Sequence, residues 1–334
     1  MAAGVSVRGD DIVISEDVWG EPLAALGREH TVLADADLWS DRTRLLRALR
    51  DARALVVRNR TTVDAELIAA APQLQVVARA GVGLDNIDVA AADRRGVVVV
   101  SPRGANARSV AEYTVGAALA LVRGLLEHDR AVRAGGWDRP AGRELAGRTW
   151  GVLGVGSTGL AVAELARAFG MPVLGHDPYV SADSPTVIAS GVRLVDLETL
   201  CRDAHVISIH LPGGPQTAGL VDRRLMTLMG PDTYLINVGR GEVVDEEALA
   251  HMLGSGDLAG AALDVRRAEP PAPGELERLE GTLLTPHVAG ITEESQHRIV
   301  LALAEDIRSV LAGRAAACAV GAADGAAGAA GALT

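Results

Sequence analysis

The chain has 334 residues, which is enough for two domains with buried cores. Its formal net charge is −11 and only 2% of its residues are aromatic, which argues against a nucleic-acid partner, because such a partner requires a basic face and stacking side chains. All 32 basic residues are arginine, so lysine Schiff-base chemistry is excluded, and anions must be bound by arginine or backbone N–H groups.

Charge or glycine interrupts the apolar segments before they reach about 18 residues, so we expect no membrane-spanning helix and no membrane partner. The first residues lack the apolar region of a secretion signal. The two cysteines, Cys201 and Cys318, lie in no ligand pattern, and we expect no metal site. These features predict a cytoplasmic protein with free thiols.

Apolar runs alternate with helical patterns over residues 1–102. The runs are continuously apolar, as in parallel strands that are buried on both faces. The alternation therefore predicts a parallel sheet covered by helices. The predicted strands are Ile12–Ile14, Thr31–Leu33, Ala54–Val57, Gln75–Ala78 and Val97–Val100. The predicted helices are Asp41–Arg50, Asp64–Ala70 and Val89–Arg95.

One long helix is predicted over Asn106–Leu126, which is rich in Ala, Val and Leu on more than one face. A helix that is apolar most of the way round must be buried on several sides. We interpret it as a crossover into a second domain and as a dimer surface. Burial of the helix within a single chain is the alternative.

A glycine-rich turn lies within Arg148–Asp177, between a short apolar strand and a helical pattern. Gly154 permits a tight bend, Gly156 permits close approach of a pyrophosphate, and Gly159 permits close packing of helix on strand. The unpaired N–H groups at the start of the helix would face the phosphates. The pattern is typical of a dinucleotide site.

An acid ends the strand that follows this helix. Asp177 lies 21 residues past Gly156, where a carboxylate accepts the ribose hydroxyls of adenosine. The same carboxylate would repel a 2′-phosphate, so the sequence predicts NAD rather than NADP as the cofactor. A glycine turn that binds no nucleotide is the alternative.

Further strands alternate with polar segments up to residue 284, and a last helix, Glu293–Leu311, is expected to return to the first sheet. We therefore predict a substrate domain of residues 1–102 and 291–312, with a nucleotide domain of residues 103–290 inserted in it. Residues 313–334 are almost wholly Ala and Gly and predict a flexible tail. The strands predicted in the inserted domain are Trp150–Leu153, Val173–His176, Val206–Ile209, Leu235–Val238, Gly260–Asp264 and Leu283–Leu284.

Hydride transfer between NAD and a hydroxyl carbon requires a base, a cation for the substrate carboxylate and a group that tunes the base. In an open parallel sheet such groups lie beyond the carboxyl ends of strands. Arg240, Glu269 and His287 occupy such positions. His287 follows a proline at a strand end, whereas the other histidines occupy structural or surface contexts. Among these, His210 is expected to line the site without chemistry.

Several ordered motifs together resemble one family. They are the glycine turn, Arg79–Asp88, Asn106 with Val110–Tyr113, His210-Leu211-Pro212, Asn237–Gly241, Asp264-Val265 with Glu269-Pro270, and Thr285-Pro286-His287. With these motifs the chain resembles the D-isomer-specific 2-hydroxyacid dehydrogenase family over roughly residues 50–310. The resemblance implies an α/β fold of two doubly wound parallel-sheet domains, with a Rossmann NAD-binding domain inserted in a flavodoxin-like substrate domain. It also implies a homodimer through the helices of residues 106–145.

The resemblance implies that His287 is the acid and base, that Glu269 favours its imidazolium form, and that Arg240 grips the substrate carboxylate and carbonyl oxygen. Backbone N–H groups near Val82 and Gly83 would hold the other carboxylate oxygen, and Asp264 would lie beside the nicotinamide amide. The expected cofactor-binding residues are Gly154, Gly156, Ser157, Thr158, Gly159, Asp177, His210, Pro212, Thr217, Val238, Asp264 and Gly290. The expected substrate-binding residues are Arg58, Arg60, Arg79, Val82, Gly83, Asn106, Arg240 and His287.

Within the family the likeness is to phosphoglycerate dehydrogenases. Arg58-Asn59-Arg60-Thr61 resembles their Arg-Ser-Arg-Thr turn, which handles a distal phosphate, and Trp137–Arg139 resembles a segment that reaches a neighbouring subunit's site. Two arginines at i and i+2 of a turn can converge on one anion. We therefore expect an anionic 2-hydroxyacid or 2-oxoacid with a second anionic group: phosphate, sulfonate, phosphonate or carboxylate. Two solvated arginines are the alternative.

Arg266 and Arg267 depart from the family, which usually has an aromatic or apolar residue after Asp264-Val265. They indicate either an altered loop or a further anion contact. The sequence holds no segment resembling the regulatory domain of longer phosphoglycerate dehydrogenases, so we expect no feedback control by serine. Two other functions stay open: an NAD-sensing binding protein of the corepressor type, and a family member that oxidises sulfolactate, formate or phosphite.

Overall fold

The structure is a computed structural model that describes residues 10–321. The described residues form two compact units. Unit 1 comprises residues 10–106 and 292–321, and unit 2 comprises Ala107–Ile291. Of the predicted tail, residues 322–334 lie outside the described part of the chain.

The first segment of unit 1 alternates strands and short helices. Its strands are β1 (Ile12–Ile14), β2 (Val32–Ala34), β3 (Ala54–Val57), β4 (Val76–Arg79) and β5 (Val98–Val100). Its helices are α1 (Glu21–Ala24), α2 (Arg42–Ala48), α3 (Ala65–Ala70) and α4 (Val89–Arg94).

Aspartate carboxylates begin three of these helices. Asp41, Asp64 and Asp88 accept the N–H groups of Arg44, Leu67 and Ala91 at 2.9, 2.9 and 2.8 Å. Each carboxylate satisfies one of the N–H groups that a helix start leaves without a partner. Helices α2 and α3 therefore begin one residue later than predicted, and α4 begins at the predicted residue.

The five strands are parallel, in the order β2-β1-β3-β4-β5. This is the flavodoxin-like strand order. One face is covered by a cluster with Leu45, Leu67 and Ala92 from the three capped helices. The predicted fold class of unit 1 is confirmed.

The predicted helix Asn106–Leu126 is wrong in one respect, because two helices occupy this region. They are α5 (Ala107–Val122) and α6 (Leu125–Arg133). Gly124 adopts a left-handed conformation, φ +55°, and the chain bends there by 59°. No single helix of residues 10–321 has the length and apolar composition to cross a membrane, although α5 and α6 meet that test when taken as one bent pair.

The rest of unit 2 is a parallel sheet with helices on both faces. Its strands are β6 (Trp150–Leu153), β7 (Val173–His176), β8 (Arg193–Leu194), β9 (Val206–Ile209), β10 (Tyr234–Asn237), β11 (Gly260–Leu263) and β12 (Thr282–Leu284). Its remaining helices are α7 (Ser157–Ala168), α8 (Pro185–Ser190), α9 (Leu197–Asp203), α10 (Arg223–Met226) and α11 (Glu246–Ser255).

The strand order of unit 2 is β8-β7-β6-β9-β10-β11-β12. The first six strands of this order match the doubly wound dinucleotide-binding sheet, whose order reverses between the first and fourth strands. Here the reversal lies between β6 and β9, and ligands of such sheets bind at the carboxyl ends of those strands. The predicted Rossmann class is confirmed. We therefore expect a ligand to bind at the loops after β6 and β9.

After unit 2 the chain returns to unit 1 as α12 (Glu293–Leu311) and β13 (Ala319–Val320). A capping box formed by Thr292 and Ser295 begins α12. The tail predicted from residue 313 is wrong for residues 313–321, because β13 pairs antiparallel with β5. The Asp306 carboxylate fixes this segment by accepting the N–H groups of Ala317 at 2.7 Å and Cys318 at 2.9 Å.

Candidate active site

A tight glycine turn joins β6 to α7. Gly154 has φ +96°, and a Cβ there would lie 3.0 Å from the carbonyl oxygen of His210. A Cβ at Gly159 would lie 2.1 Å from the carbonyl oxygen of Gly154, so only glycine lets the helix approach this closely. A Cβ at Gly156 would meet no described atom within 4 Å. The turn is therefore closed towards the sheet and open beside Gly156.

The Asp177 carboxylate lies against this turn, directly after β7. Its Oδ2 accepts the N–H of Val155 at 2.9 Å, and its Oδ1 accepts the N–H of Tyr179 at 3.0 Å. A carboxylate offers about four acceptor positions, so two remain for hydroxyl donors such as those of a ribose. The acid that is 21 residues away in sequence is therefore fixed beside the turn.

Further features of this region fit a dinucleotide. Within residues 10–321 no side chain caps α7, which leaves its first N–H groups available to a diphosphate. Nε2 of His210 lies 2.9 Å from Ser208 Oγ, but its buried Nδ1 has no hydrogen-bond partner among the described residues. Burial lowers the pKa of His210 to about 3, so its ring is neutral. The open turn, uncapped helix and unsatisfied ring nitrogen fit the groups of NAD.

Arg240 follows β10 in a turn held by its own neighbours. Asn237 Nδ2 donates to the Arg240 carbonyl at 2.9 Å, and Gly239 N–H donates to Asn237 Oδ1 at 3.1 Å. Arg240 Nη1 donates to the Gly239 carbonyl at 2.8 Å. A Cβ at Gly241 would lie 1.9 Å from the carbonyl carbon of Arg266. Gly239 and Gly241 therefore allow the turn to form. They also allow the loop after β11 to pack directly on the turn.

Glu269 and His287 form a hydrogen-bonded pair close to this turn. His287 Nδ1 donates to Glu269 Oε2 at 2.8 Å, and Glu269 Oε1 accepts the N–H of Arg266 at 3.2 Å. Burial acts to raise the pKa of Glu269, but the hydrogen bond and charge of His287, together with two smaller effects, outweigh it and lower the pKa. The Arg266 N–H and the charge of Arg240 act in the same direction. The structure therefore pairs His287 with Glu269 in unit 2 and places the charge of Arg240 near enough to lower the pKa of Glu269.

His287 has an unusual backbone, which Asp264 holds. Its φ is +56°, the only positive φ of a non-glycine residue among residues 10–321. The His287 N–H donates to the Asp264 carbonyl at 2.7 Å. The buried Asp264 carboxylate accepts the N–H groups of Val288 and Ala289, each at 2.8 Å, and the hydroxyl of Thr285 at 2.6 Å. Asp264 therefore fixes the chain on both sides of His287 and with it the direction of the imidazole.

Tyr113 on α5 extends this network. Its hydroxyl lies 2.5 Å from Thr285 Oγ1. Because the Thr285 hydroxyl donates to Asp264, Tyr113 is the donor to Thr285. Burial raises the pKa of Tyr113, so it keeps the proton that this chain of hydrogen bonds requires. The helix that precedes the Rossmann sheet thus supports the His287 loop.

In unit 1, the predicted substrate arginines Arg58 and Arg60 lie in the turn after β3. The carboxylate of Glu16, which is buried, accepts the N–H groups of all four residues of this turn. Oε1 accepts from Arg58 at 2.8 Å and Thr61 at 2.9 Å, and Oε2 accepts from Asn59 at 3.2 Å and Arg60 at 2.9 Å. Sequence reasoning missed Glu16, because its partners are 42 to 45 residues away.

The second predicted substrate segment of unit 1 follows β4. The Ser101 hydroxyl donates to the carbonyls of Gly81 at 3.0 Å and Val82 at 3.2 Å, which anchors the loop that contains Gly83. A Cβ at Gly81 would lie 1.4 Å from Arg79 Nη1, so the guanidinium folds back over its own loop. The remaining predicted substrate residue, Asn106, directly precedes α5.

Residues 115–289 match the family model described as D-isomer specific 2-hydroxyacid dehydrogenase, NAD binding domain. Over 307 residues the chain is 42% identical to the D-3-phosphoglycerate dehydrogenase of Mycobacterium leprae, a match that covers 90% of this chain and 57% of that protein. The chain belongs to the D-isomer specific 2-hydroxyacid dehydrogenase family. Unit 2 is the NAD-binding domain of this family member.

Two other relatives of this family member are informative. It is 42% identical over 308 residues to the (S)-sulfolactate dehydrogenase of Chromohalobacter salexigens, a match that covers 91% of this chain and 99% of that protein. It also superimposes on D-lactate dehydrogenase from Aquifex aeolicus complexed with NAD and lactic acid, with TM-score 0.80 and 26% identity over 90% of this chain and 95% of that one. The chain spans little more than half the length of the phosphoglycerate dehydrogenases it matches.

The other predicted cofactor residues of the family member lie in loops at the same edge of the Rossmann sheet. Thr217 closes the loop after β9, since its hydroxyl donates to the carbonyl of Pro212 at 2.7 Å. Val238 directly follows β10 and is half-buried, and Gly290 follows the His287 loop. No described contact assigns these residues to NAD, so their roles stay predictions.

The sequence allowed two interpretations of Arg266: an altered loop or a further contact with an anion. Its Nη2 lies 2.9 Å from Glu246 and its Nη1 lies 2.5 Å from Glu277, and its side chain is 9% exposed. The adjacent Arg267 N–H donates to Glu246 Oε1 at 2.7 Å. In the structure Arg266 therefore pairs with acids of its own unit and stabilises the loop that carries Glu269.

Proposed function

We propose that the chain is an NAD-dependent dehydrogenase that interconverts a D-2-hydroxyacid and its 2-oxoacid. The observation that carries this proposal is the pairing of His287 with Glu269 beside Arg240, in the same unit as the glycine turn. A base with an oriented carboxylate and an adjacent guanidinium are the groups that oxidation of a hydroxyacid requires.

The roles follow from the protons and charges of these side chains. Because Glu269 accepts the proton of Nδ1, neutral His287 presents its lone pair at Nε2. Arg240 binds the substrate carboxylate and the oxygen at C2 through its planar fork. NAD, when bound, supplies the acceptor for a hydride. His287 Nε2 takes the hydroxyl proton while the C2 hydrogen leaves with its electron pair, so the hydroxyl carbon becomes the carbonyl of the 2-oxoacid. In the reverse direction His287 returns the proton.

We propose further that the substrate carries a second anionic group, which Arg58 and Arg60 bind. The relatives at 42% identity support this, because 3-phosphoglycerate and sulfolactate both carry an anion beyond the carboxylate. The turn carries arginines at i and i+2, and such a pair can converge on one anion. Phosphate, sulfonate, phosphonate and carboxylate are the candidate groups.

The experiment compares pairs of acids by following NADH formation. Glycerate is paired with 3-phosphoglycerate, and lactate with sulfolactate. We expect turnover of 2-hydroxyacids, with kcat/KM higher for the doubly anionic member of at least one pair. NAD binding without turnover of any acid would favour the corepressor-type alternative. Equal kcat/KM values within both pairs would remove the role proposed for Arg58 and Arg60.

We also propose that two copies associate through α6 and the segment after it. No residue of α6 is buried within the chain, and Leu125, Val132 and Trp137 are 52%, 51% and 77% exposed. Large apolar side chains exposed together are typical of a protein interface. Sedimentation should give a dimer for the wild type and a monomer for Trp137→Ser combined with Val132→Ser. Ile188→Ser, which removes an exposed apolar side chain from α8, is the control.

A further inference from the structure

Glu16 is a buried carboxylate that accepts the backbone N–H groups of all four residues of the Arg58–Thr61 turn. It is 4% exposed, and within residues 10–321 no arginine forms an ion pair with it. Burial acts to raise its pKa, but the N–H groups of Thr61, Arg58 and Arg60 and the Thr61 hydroxyl together outweigh burial and lower the pKa. Glu16 is therefore ionised at neutral pH, and its charge is balanced by the N–H dipoles of the Arg58–Thr61 turn.

Two further contacts fix the same turn. Ser15 Oγ lies 2.8 Å from Thr61 Oγ1, and Asn86 Nδ2 donates to the carbonyls of Thr61 at 2.7 Å and Arg58 at 3.3 Å. Glu16 therefore binds the four N–H groups of the turn, whereas Asn86 binds two of its carbonyl groups. Hydrogen bonds to both kinds of backbone group hold the turn in one conformation.

The Arg60 side chain is fixed as well. Its guanidinium carbon lies 5.0 Å from the ring centroid of Trp39, a cation–π distance. The backbone N–H of Trp39 donates to the carbonyl of Ser15 at 3.1 Å, so the residue that carries the ring is attached to the residue before Glu16. Glu16 thus binds the backbone of Arg60, and Trp39, which is hydrogen-bonded to Ser15, contacts its side chain.

We propose that Glu16 is a positioning residue for the distal anion of the substrate, acting through the backbone of the Arg58–Thr61 turn. The proposal rests on the proposed function of Arg58 and Arg60. Its reason is that two long arginine side chains converge on one anion only when the backbone that carries them is rigid. The charge of Glu16 would by itself weaken substrate binding, because a carboxylate near the subsite repels an anionic substrate.

Glu16→Gln separates these two effects. The side chain keeps its size, but the amide NH₂ replaces an acceptor and faces two N–H donors, so half of the turn loses its hydrogen bonds. If positioning dominates, KM for 3-phosphoglycerate or sulfolactate rises. If charge repulsion dominates, KM falls, because the negative charge is gone.

The measured quantity is the ratio of kcat/KM for the doubly anionic acid to that for its partner without the distal anion. We expect Glu16→Gln to lower this ratio about tenfold, the size of one charge-assisted hydrogen bond, with the change in KM rather than kcat. Glu16→Asp keeps the charge but shortens the side chain, and we expect it to recover part of the ratio. Amide hydrogens of residues 58–61 should exchange faster in Glu16→Gln.

Asp306→Asn is the matched control. Asp306 is a second buried carboxylate of unit 1, 2% exposed, that accepts two backbone N–H groups in the segment before β13. This variant should lose stability in the same way and leave the ratio unchanged. A ratio that is unchanged or raised in Glu16→Gln, or lowered equally in Asp306→Asn, would overturn the inference. A wild type that makes no distinction within either pair would overturn the proposed distal-anion site instead, and this inference with it.

Discussion

Gly241 and Arg266 are in backbone contact: a Cβ built at Gly241 falls 1.9 Å from the carbonyl carbon of Arg266. The contact joins the turn of Arg240 to the loop that carries Glu269. Because Gly241 has no side chain, this contact couples the position of Arg240 to that of Glu269, two of the residues to which we assign catalytic roles.

Gly241→Ala adds only one methyl group, but we expect it to disrupt the site strongly. The added Cβ displaces the Arg266 backbone, which donates its N–H to Glu269. We expect a loss of about 1–3 kcal/mol in the free energy of unfolding, the range of overpacking, and a fall in kcat. Gly254→Ala is the control, because its Cβ has only Leu279 nearby, at 3.8 Å. Denaturant unfolding and steady-state kinetics measure both variants, and equal behaviour of the two would refute the coupling.

His287→Asn is the sharpest test of the proposed base. Asparagine tolerates the left-handed backbone that His287 adopts at φ +56°, so the loop is preserved while the base is removed. We expect kcat to fall by roughly 10²–10⁴, the contribution of positioned acid–base catalysis. The dissociation constant of NAD, measured by calorimetry, should stay close to that of the wild type. A variant with near-normal kcat would show that another group moves the proton.

Glu16 predicts a pH dependence of stability. Its folded-state pKa lies below the usual 4.5, so folding favours the ionised form. The stabilisation is complete above pH 4.5 and is lost as the pH falls through the lowered pKa. We expect Glu16→Gln to cost about 2 kcal/mol in the free energy of unfolding at pH 7, the scale of hydrogen bonds to a charged group. The difference from wild type, measured by urea unfolding, should shrink below pH 4.5 and stay constant between pH 5 and 8.

Arg266→Lys tests whether Arg266 is part of the loop or an anion contact. An ammonium group cannot span Glu246 and Glu277 as the guanidinium does, so we expect a loss of about 2 kcal/mol in stability. The loop that carries Glu269 should loosen, and kcat should fall for singly and doubly anionic acids alike. A selective loss for the doubly anionic acids would assign Arg266 to the substrate instead.

Most strands and the glycine turn were predictable because their signals are local. Continuous apolar runs end where β1, β3 and β6 end, and the steric need for glycine at 154 and 159 arises from atoms a few residues away or just after the adjacent strand. The break in the predicted long helix could not be predicted, because glycine at 124 is also compatible with a continuous helix. Its left-handed φ depends on where the chain must go next.

The supporting residues of the site were harder to predict than the chemical ones. Arg240, Glu269 and His287 follow strands of one sheet, and strand ends converge in space. Glu16 and Asp264 act through backbone N–H groups, which any sequence supplies, so the residues that they contact leave no pattern. Strand β13 was missed for a similar reason, since Asp306 fixes a segment of Ala and Cys through its main chain.

The discontinuity of unit 1 sets an order of assembly on the ribosome. The face of its sheet that contains Ile12, Val56 and Val76 is covered by Ile299, Leu303 and Ile307 of α12. These residues emerge only after the whole of unit 2 has been synthesised. The nascent N-terminal sheet therefore lacks most of the cover of one apolar face, with Leu23 and Leu26 of the early chain packed there, while the Rossmann sheet already has every element it needs to fold.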